Sequence, residues 1–271
     1  MERLCDLLFE LSNEDRLNIL KVLGEEPMKI SHVAKRLDFT VQETSRNLSR
    51  LSDANLISRG ADGNFSLTAY GKSALDFLPG YEFLSAHPDY LNTHTLDRLP
   101  HEFFTRIGDL ANCTYMGDVM ITFYEAEKMM DEAEEYLWLA SDQHMVSSVP
   151  HIHHAIEKGV KVRILTPVDL TYPEGYFEQE AVKAYWPVYL SARNAGQYEE
   201  RWLETVDTPM GLSDKLRGRL FFPKVEGGYD YKGFTVTDER SHRFVKDLFE
   251  YYWERASTRV PEHLLDSQPE E

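Results

Sequence analysis

Apolar residues in the first part of the chain recur at helical spacing, then at strand spacing, then at helical spacing again. Leu4, Leu7, Leu8 and Leu11 predict a helix over residues 2–11. Ser12 with Asp15 three residues on marks a new helix start before DRLNILKVL, whose inward stripe is Leu17, Leu20 and Val22 or Leu23. Gly24 and Pro27 end it. A third helix over about 30–37 buries Ile30, Val33, Ala34 and Leu37, and the short link Asp38, Phe39 delivers the chain to Thr40. From Thr40 to Asn55 the sequence TVQETSRNLSRLSDAN opens with the Thr40/Glu43 capping-box spacing. On a helical wheel Thr44, Leu48, Leu51 and Asn55 fall on one side, and Gln42, Arg46, Ser49 and Arg50 on the other. LISR, GADGN and FSLT then read as strand, turn and strand, with Gly60 and Gly63 supplying the turn. Thr68 opens another helix, closed by Pro79 and Gly80.

The later pattern is different. Residues 79–99 mix aromatics with Pro88, Asn92 and histidines and read as a linker that packs. A second domain is expected over 100–258, with a tail over 259–271 that is polar enough to be disordered. EAEKMMDEAEEYLWLASDQ is an acidic amphipathic helix running into a buried strand at 136–140. VPHIHHAIEKGVKVRILTP repeats the step: a helix burying Val149, Ile152 and Ile156, a turn at Gly159, and a strand over 160–166. Helix, strand, helix, strand at this spacing argues for parallel pairing in an α/β layer structure. Residues 170–213 are aromatic and carry no clear period. The ending SHRFVKDLFEYYWERAS is a long helix with Val245, Leu248, Phe249, Tyr252 and Ala256 inward.

A helix, a tight turn and a second helix with a polar outer face form a helix-turn-helix, and the glycine-bearing hairpin after it is a wing. The amides, hydroxyls and guanidinium groups of the polar face suit phosphate oxygens and base edges, although a plain solvated face would look alike from the wheel alone. Ser31, Gln42, Thr44, Arg46, Asn47, Ser49, Arg50, Arg59 and Asn64 are the candidate DNA-contacting residues, the last two through the wing. Together DRLNILKVL, ISHVAKRL, ETSRNLSRLSDANLISR and FSLTAYGKSAL resemble the winged helix-turn-helix of archaeal and bacterial regulators of the ArsR type. That resemblance implies duplex DNA binding as a homodimer. Ser31 to Leu37 contains no cysteine, so the metal-sensing pair of the arsenic sensors is missing.

Charge sharpens the division. The net charge of -17 looks wrong for a DNA-binding chain, yet residues 1–78 hold ten basic and twelve acidic residues, and the other 19 basic and 34 acidic residues follow. The acid belongs to the second part, which polyanionic DNA would repel. With 271 residues, 42% of them apolar and 12% aromatic, two packed domains are possible. No run reaches the roughly 18 apolar residues of a membrane span, and acids interrupt the first sixteen positions, so a cytoplasmic location is expected. Cys5 and Cys113 have no metal-ligand spacing.

EAEEYLWLASD, AIEKGVKVRILTP and VKDLFEYYWERA resemble the middle domain of the filament-type methanogenesis regulators and, more distantly, the phospholipase D-like sensor domain of TrmB-type sugar regulators. The resemblance implies a phospholipase D-like regulatory domain, so the whole reads as α+β and α/β: a winged helix followed by an α/β sensor domain. It also invites an enzymatic reading, but no Lys has a His two positions before it, so the catalytic phosphate-clamping pair of such enzymes is absent. His151 and His154 fall together on an outer helix face with no third ligand in the sequence, so no metal or cofactor is expected. Ligands on α/β sheets sit beyond the carboxyl ends of the strands. Those ends carry Ser141, Asp142, His144 and Thr166, with Trp138, Trp186, Trp202 and Tyr231 as candidate walls for a small-molecule effector. The function expected is a sequence-specific transcriptional regulator. A phosphodiesterase with a non-standard site and a protein-binding adaptor are the alternatives.

Overall fold

The structure, a computed structural model, describes residues 1–172 and 174–265. The chain divides into two compact units, residues 1–81 and 82–271.

The first unit runs α1 (Glu2–Leu11), α2 (Glu14–Glu25), α3 (Ile30–Leu37), α4 (Val41–Asp53), β1 (Ile57–Arg59), β2 (Phe65–Leu67) and α5 (Ala69–Asp76), and α6 (Leu78–Ala86) leads out of it. Asn13, not Ser12, caps α2, its side chain accepting from the Arg16 amide at 3.0 Å. The buried face of α2 is Ile19, Leu20, Val22 and Leu23, and Leu17 is only partly covered. Asp38 takes the left-handed conformation (φ 55°) that ends α3 and turns the chain into α4. At Thr40 the capping box is complete: the Glu43 amide donates to Oγ1 at 3.2 Å and the Thr40 amide donates to the Glu43 carboxylate at 3.0 Å. The Thr40 hydroxyl, which donates to the Glu43 carboxylate at 2.7 Å, and then the Thr40 amide hold that carboxyl below its ordinary range. Thr44, Leu48 and Leu51 are the inward face of α4 and join Ile19, Leu20, Val33 and Leu56 in one core. Asn55, expected inward, is exposed and closes the helix in the left-handed region at φ 60°. Only Gly63 of the two hairpin glycines has positive φ (81°).

Gly71 is required for a reason of packing. A Cβ there would lie 1.9 Å from the Leu56 carbonyl oxygen, because Thr68, the cap of α5, draws the helix start onto the segment before β1 by accepting the Gly71 amide and donating to the Asn55 carbonyl at 2.7 Å. Gly71→Ala is expected to lower the stability of the first unit by about 2 kcal/mol as α5 lifts away. Hydrogen exchange at the amides of 69–76 measures it, and protection equal to the wild type would contradict the close approach.

The second unit begins earlier than the pattern predicts. Residues 79–99 are not a linker: α6 continues through Pro79 and Gly80, α7 spans Pro88–Leu91, and Phe83, Tyr90, Leu96 and Leu99 are buried in the second unit's core. Proline at the first turn of α6 lacks only an amide that has no intrahelical acceptor. Then follow α8 (His101–Phe104), β3 (Thr114–Met116), α9 (Val119–Glu132), β4 (Tyr136–Ala140), α10 (Val149–Glu157), β5 (Lys161–Pro167), α11 (Glu180–Asn194) and β6 (Tyr198–Leu203). The chain ends with β7 (Met210–Ser213), β8 (Gly218–Leu220), β9 (Gly233–Val236), α12 (Glu239–Arg255) and α13 (Glu262–Leu265). Leu264 is buried, so the expected disordered tail is ordered to at least that point, and residues 266–271 lie outside the described part.

The strands form one mixed sheet in the order β3-β9-β8-β7-β4-β5-β6, in which β4, β5 and β6 are parallel and the other pairs antiparallel. The two-residue alternation of β4 separates the cores: Trp138 and Ala140 belong to the α12 side, Leu137 and Leu139 to the side packed by α9, α10 and α11. The architecture is therefore α+β, with a sheet covered on both faces in the second unit.

Candidate functional site

In the first unit, Gln42, Arg46 and Ser49 are exposed on α4 and Asn47 is half-covered beside them. Among the described residues Arg46 makes no ion pair, so its guanidinium is free to meet an anion. Ser31 is exposed in the first turn of α3. Thr44 is wholly buried, its hydroxyl donating to the Thr40 carbonyl at 2.9 Å, and is removed from the candidate contacts.

Arg50 differs from Arg46 although the wheel places them on one face. Its Nη2 lies 2.6 Å from Glu10 of α1, and its guanidinium stands over the Phe9 ring at 5.4 Å. The other Glu10 oxygen takes Arg16 Nε at 2.8 Å, and Arg16 also donates to the carbonyls of Glu10 and Phe9. Glu10 and Arg16 are buried, so the pair is screened little, and the Glu10 hydrogen bond raises the Arg50 pKa further above its ordinary value. Arg50 is thus a brace between α4 and α1 rather than an outward-reaching side chain. On the β1–β2 hairpin, Arg59 is exposed and lies 5.6 Å from the Phe65 ring, while the Asn64 side chain is turned to Asp62 at 2.7 Å.

In the second unit a cavity of about 110 Å³ opens where β4 and β5 end, lined by Ser141, His144 and Tyr231 among others. His144 Nε2 stands 3.3 Å from the Thr166 hydroxyl, which donates to Glu200 at 2.8 Å. Tyr172 sets its ring edge against His144 at 5.7 Å. Burial lowers the His144 pKa against the weaker opposing pull of Glu200, so the imidazole is neutral at pH 7. Asp142 accepts from the Tyr231 hydroxyl at 3.0 Å, and burial nevertheless keeps its carboxyl above the usual range. Ser141 folds its hydroxyl onto the Gln143 carbonyl at 2.6 Å.

The three tryptophans do not line the cavity. Trp138 faces the opposite side of the sheet, stacked on Phe249 at 5.1 Å with Arg163 over its ring, because an odd step along β4 reverses the side. Trp202 is buried, and Trp186 packs against Phe177 and Tyr189. Nor do the histidines form a pair. His151 turns to Asp131 of α9 at 2.8 Å, His153 to Glu157 at 3.4 Å, and His154 is exposed. No group of three or more His, Cys, Asp or Glu among the described residues is arranged to hold a metal ion. Burial pushes the Cys113 thiol up to about 12, which leaves it protonated and unreactive.

Arg219 of β8 lines the same cavity and escaped the sequence reading. The only signal was an arginine inside RGRLFFPK, and its strand has no fixed position in the sheet until β7 and β9 flank it. The described residues include no helix long and apolar enough to cross a membrane.

No family model matches the chain, and no curated protein matches it. Among solved structures it is similar to TrmBL2, an archaeal chromatin protein showing a novel mode of DNA binding, with 16% identity over 91% of this chain and 94% of that one and a TM-score of 0.43. It is also similar to the O-methyltransferase NcsB1 of neocarzinostatin biosynthesis, with 11% identity over 70% of this chain and 61% of that one and a TM-score of 0.23. The dimethyltransferase RosA from Streptomyces davawensis shares 13% identity over 72% of this chain and 62% of that one, with a TM-score of 0.25. At such low scores none of them carries an argument about this chain's fold or activity.

Proposed function

We propose that the protein is a sequence-specific, duplex DNA-binding transcriptional regulator whose second unit is a non-catalytic effector domain. The supporting observation is the α3–turn–α4 arrangement: a helix entered through the left-handed Asp38, locked by its capping box, and carrying Gln42, Arg46 and Ser49 outward with a free guanidinium. Gln42, Arg46, Asn47 and Ser49 read base edges, Ser31 and Arg59 hold phosphates, and two copies place two such helices in successive major grooves. The winged helix-turn-helix assignment, the homodimer and the effector are parts of this reading.

Selection of duplexes from a random pool, followed by titration across salt concentrations, tests it. Binding is expected to weaken steeply as salt rises, because each neutralised phosphate releases counterions. Arg59→Ala is expected to reduce the salt slope by about 1 with little change in the selected sequence. Absence of any salt-dependent complex with duplex DNA would favour a protein adaptor. Turnover of a phosphodiester such as bis(p-nitrophenyl) phosphate would favour the enzyme reading.

A further inference from the structure

The cavity of the second unit contains one charge that its own packing leaves unanswered. Arg219 Nη1 donates to the Thr122 carbonyl at 3.3 Å and the guanidinium lies 5.6 Å from the Phe221 ring, but Nε is buried with no acceptor. No carboxylate pairs with Arg219 among the described residues, and burial pulls its pKa down to about 10, which still leaves it fully charged at neutral pH. Arg219 as a whole is half-buried, but an enclosed guanidinium nitrogen without an acceptor is costly and is ordinarily paired. The acids that share a cleft with Arg219 are engaged elsewhere: Glu125 lies 3.6 Å from Arg217, and Asp118 caps α9 by accepting the Met120 amide. The wall is mostly apolar, with Phe123, Leu139, Ile152 and Ile164, and Ser141, Gln143, His144 and Ser148 are among its other polar members. At about 110 Å³ the space is somewhat smaller than the roughly 150 Å³ cavity that admits benzene. It therefore suits one ring or branched chain, not an extended molecule.

We propose that this cavity binds a small organic anion, a carboxylate or phosphate group on a single-ring or branched apolar body, with Arg219 as the anchor of the anionic oxygens. The fork of the guanidinium matches two such oxygens, and the protein's own packing leaves Nε without an acceptor. Tyr231, a lining residue held at φ 55° in the left-handed region, donates its hydroxyl to Asp142, so this carboxylate is already engaged.

The inference deepens the effector half of the reading above, so its test uses the full chain without DNA, and failure here leaves the DNA titration untouched. Benzoate, phenyl phosphate, benzyl alcohol and benzamidinium are titrated by calorimetry and by thermal shift. At least one of benzoate and phenyl phosphate is expected to bind about tenfold or more tightly than benzyl alcohol, and to raise the melting temperature with concentration. Which of the two binds better tells a carboxylate site from a phosphate site. Arg219→Gln is expected to lose about tenfold or more in anion affinity while benzyl alcohol binding stays within about twofold. If Arg219→Gln does not fold, as judged by circular dichroism, the order of the four probes on the wild type decides alone. Equal binding of the anions and benzyl alcohol, preference for benzamidinium, or undiminished anion binding in a folded Arg219→Gln overturns the proposal.

Discussion

Arg46→Ala is expected to weaken binding to the selected duplex by about tenfold to a hundredfold and to relax the choice of base at one position of the half-site. Arg46 is exposed on α4 and free of any ion pair among the described residues, so its full donor set is available to a guanine edge or a phosphate. Arg50→Ala is expected to do much less to affinity, because the same guanidinium is already held by Glu10 at 2.6 Å. Titration of both variants against the selected duplex and against a scrambled one separates the two. Equal losses would mean that the Glu10 contact opens on DNA and that the brace between α1 and α4 is itself part of recognition. No loss in either variant would remove α4 as the reading helix.

Glu10→Ala is expected to destabilise the first unit by about 3 kcal/mol. The carboxylate is buried and bridges Arg16 and Arg50, so its removal strands the buried Arg16 charge and frees α4 from α1. The cost is placed at the low end for a broken buried pair because Arg16 Nη2 keeps the Phe9 carbonyl at 2.7 Å and Nε keeps the Glu10 carbonyl at 3.0 Å. Urea denaturation followed by hydrogen exchange at amides of residues 1–81 measures the loss, and Glu10→Gln, which can still accept hydrogen bonds, should recover part of it. A change below about 0.5 kcal/mol would show that the pair contributes no more than an exposed ion pair does.

These two expectations depend on facts of unequal visibility in the sequence. The start of α4 is local: Thr40 and Glu43 are three residues apart, so the capping box can be read from spacing alone. The same holds for the parallel β4–β5 pair, where two amphipathic helices each run into a buried strand. The linker expectation failed because Phe83, Tyr90, Leu96 and Leu99 are too sparse for a period to register, yet each is buried once α6 and α7 pack on the sheet. Thr44 illustrates a subtler error. It lies on the inward stripe, and its hydroxyl, which suits a DNA contact by type, already donates to the Thr40 carbonyl.

By itself, then, the sequence determined what rests on neighbours within a few residues: the capping box that starts α4, the polar outer face of that helix, the hairpin after it, and the place of Ser141 and His144 just beyond the end of β4. Only the tertiary structure decided which charges on those faces remain free. Arg50 meets Glu10 forty positions away, and Arg219, on a strand that enters the sheet out of chain order, meets no carboxylate among the described residues. Periodicity assigns a side chain to a face, but whether its charge is cancelled depends on which distant group folding brings within about 4 Å.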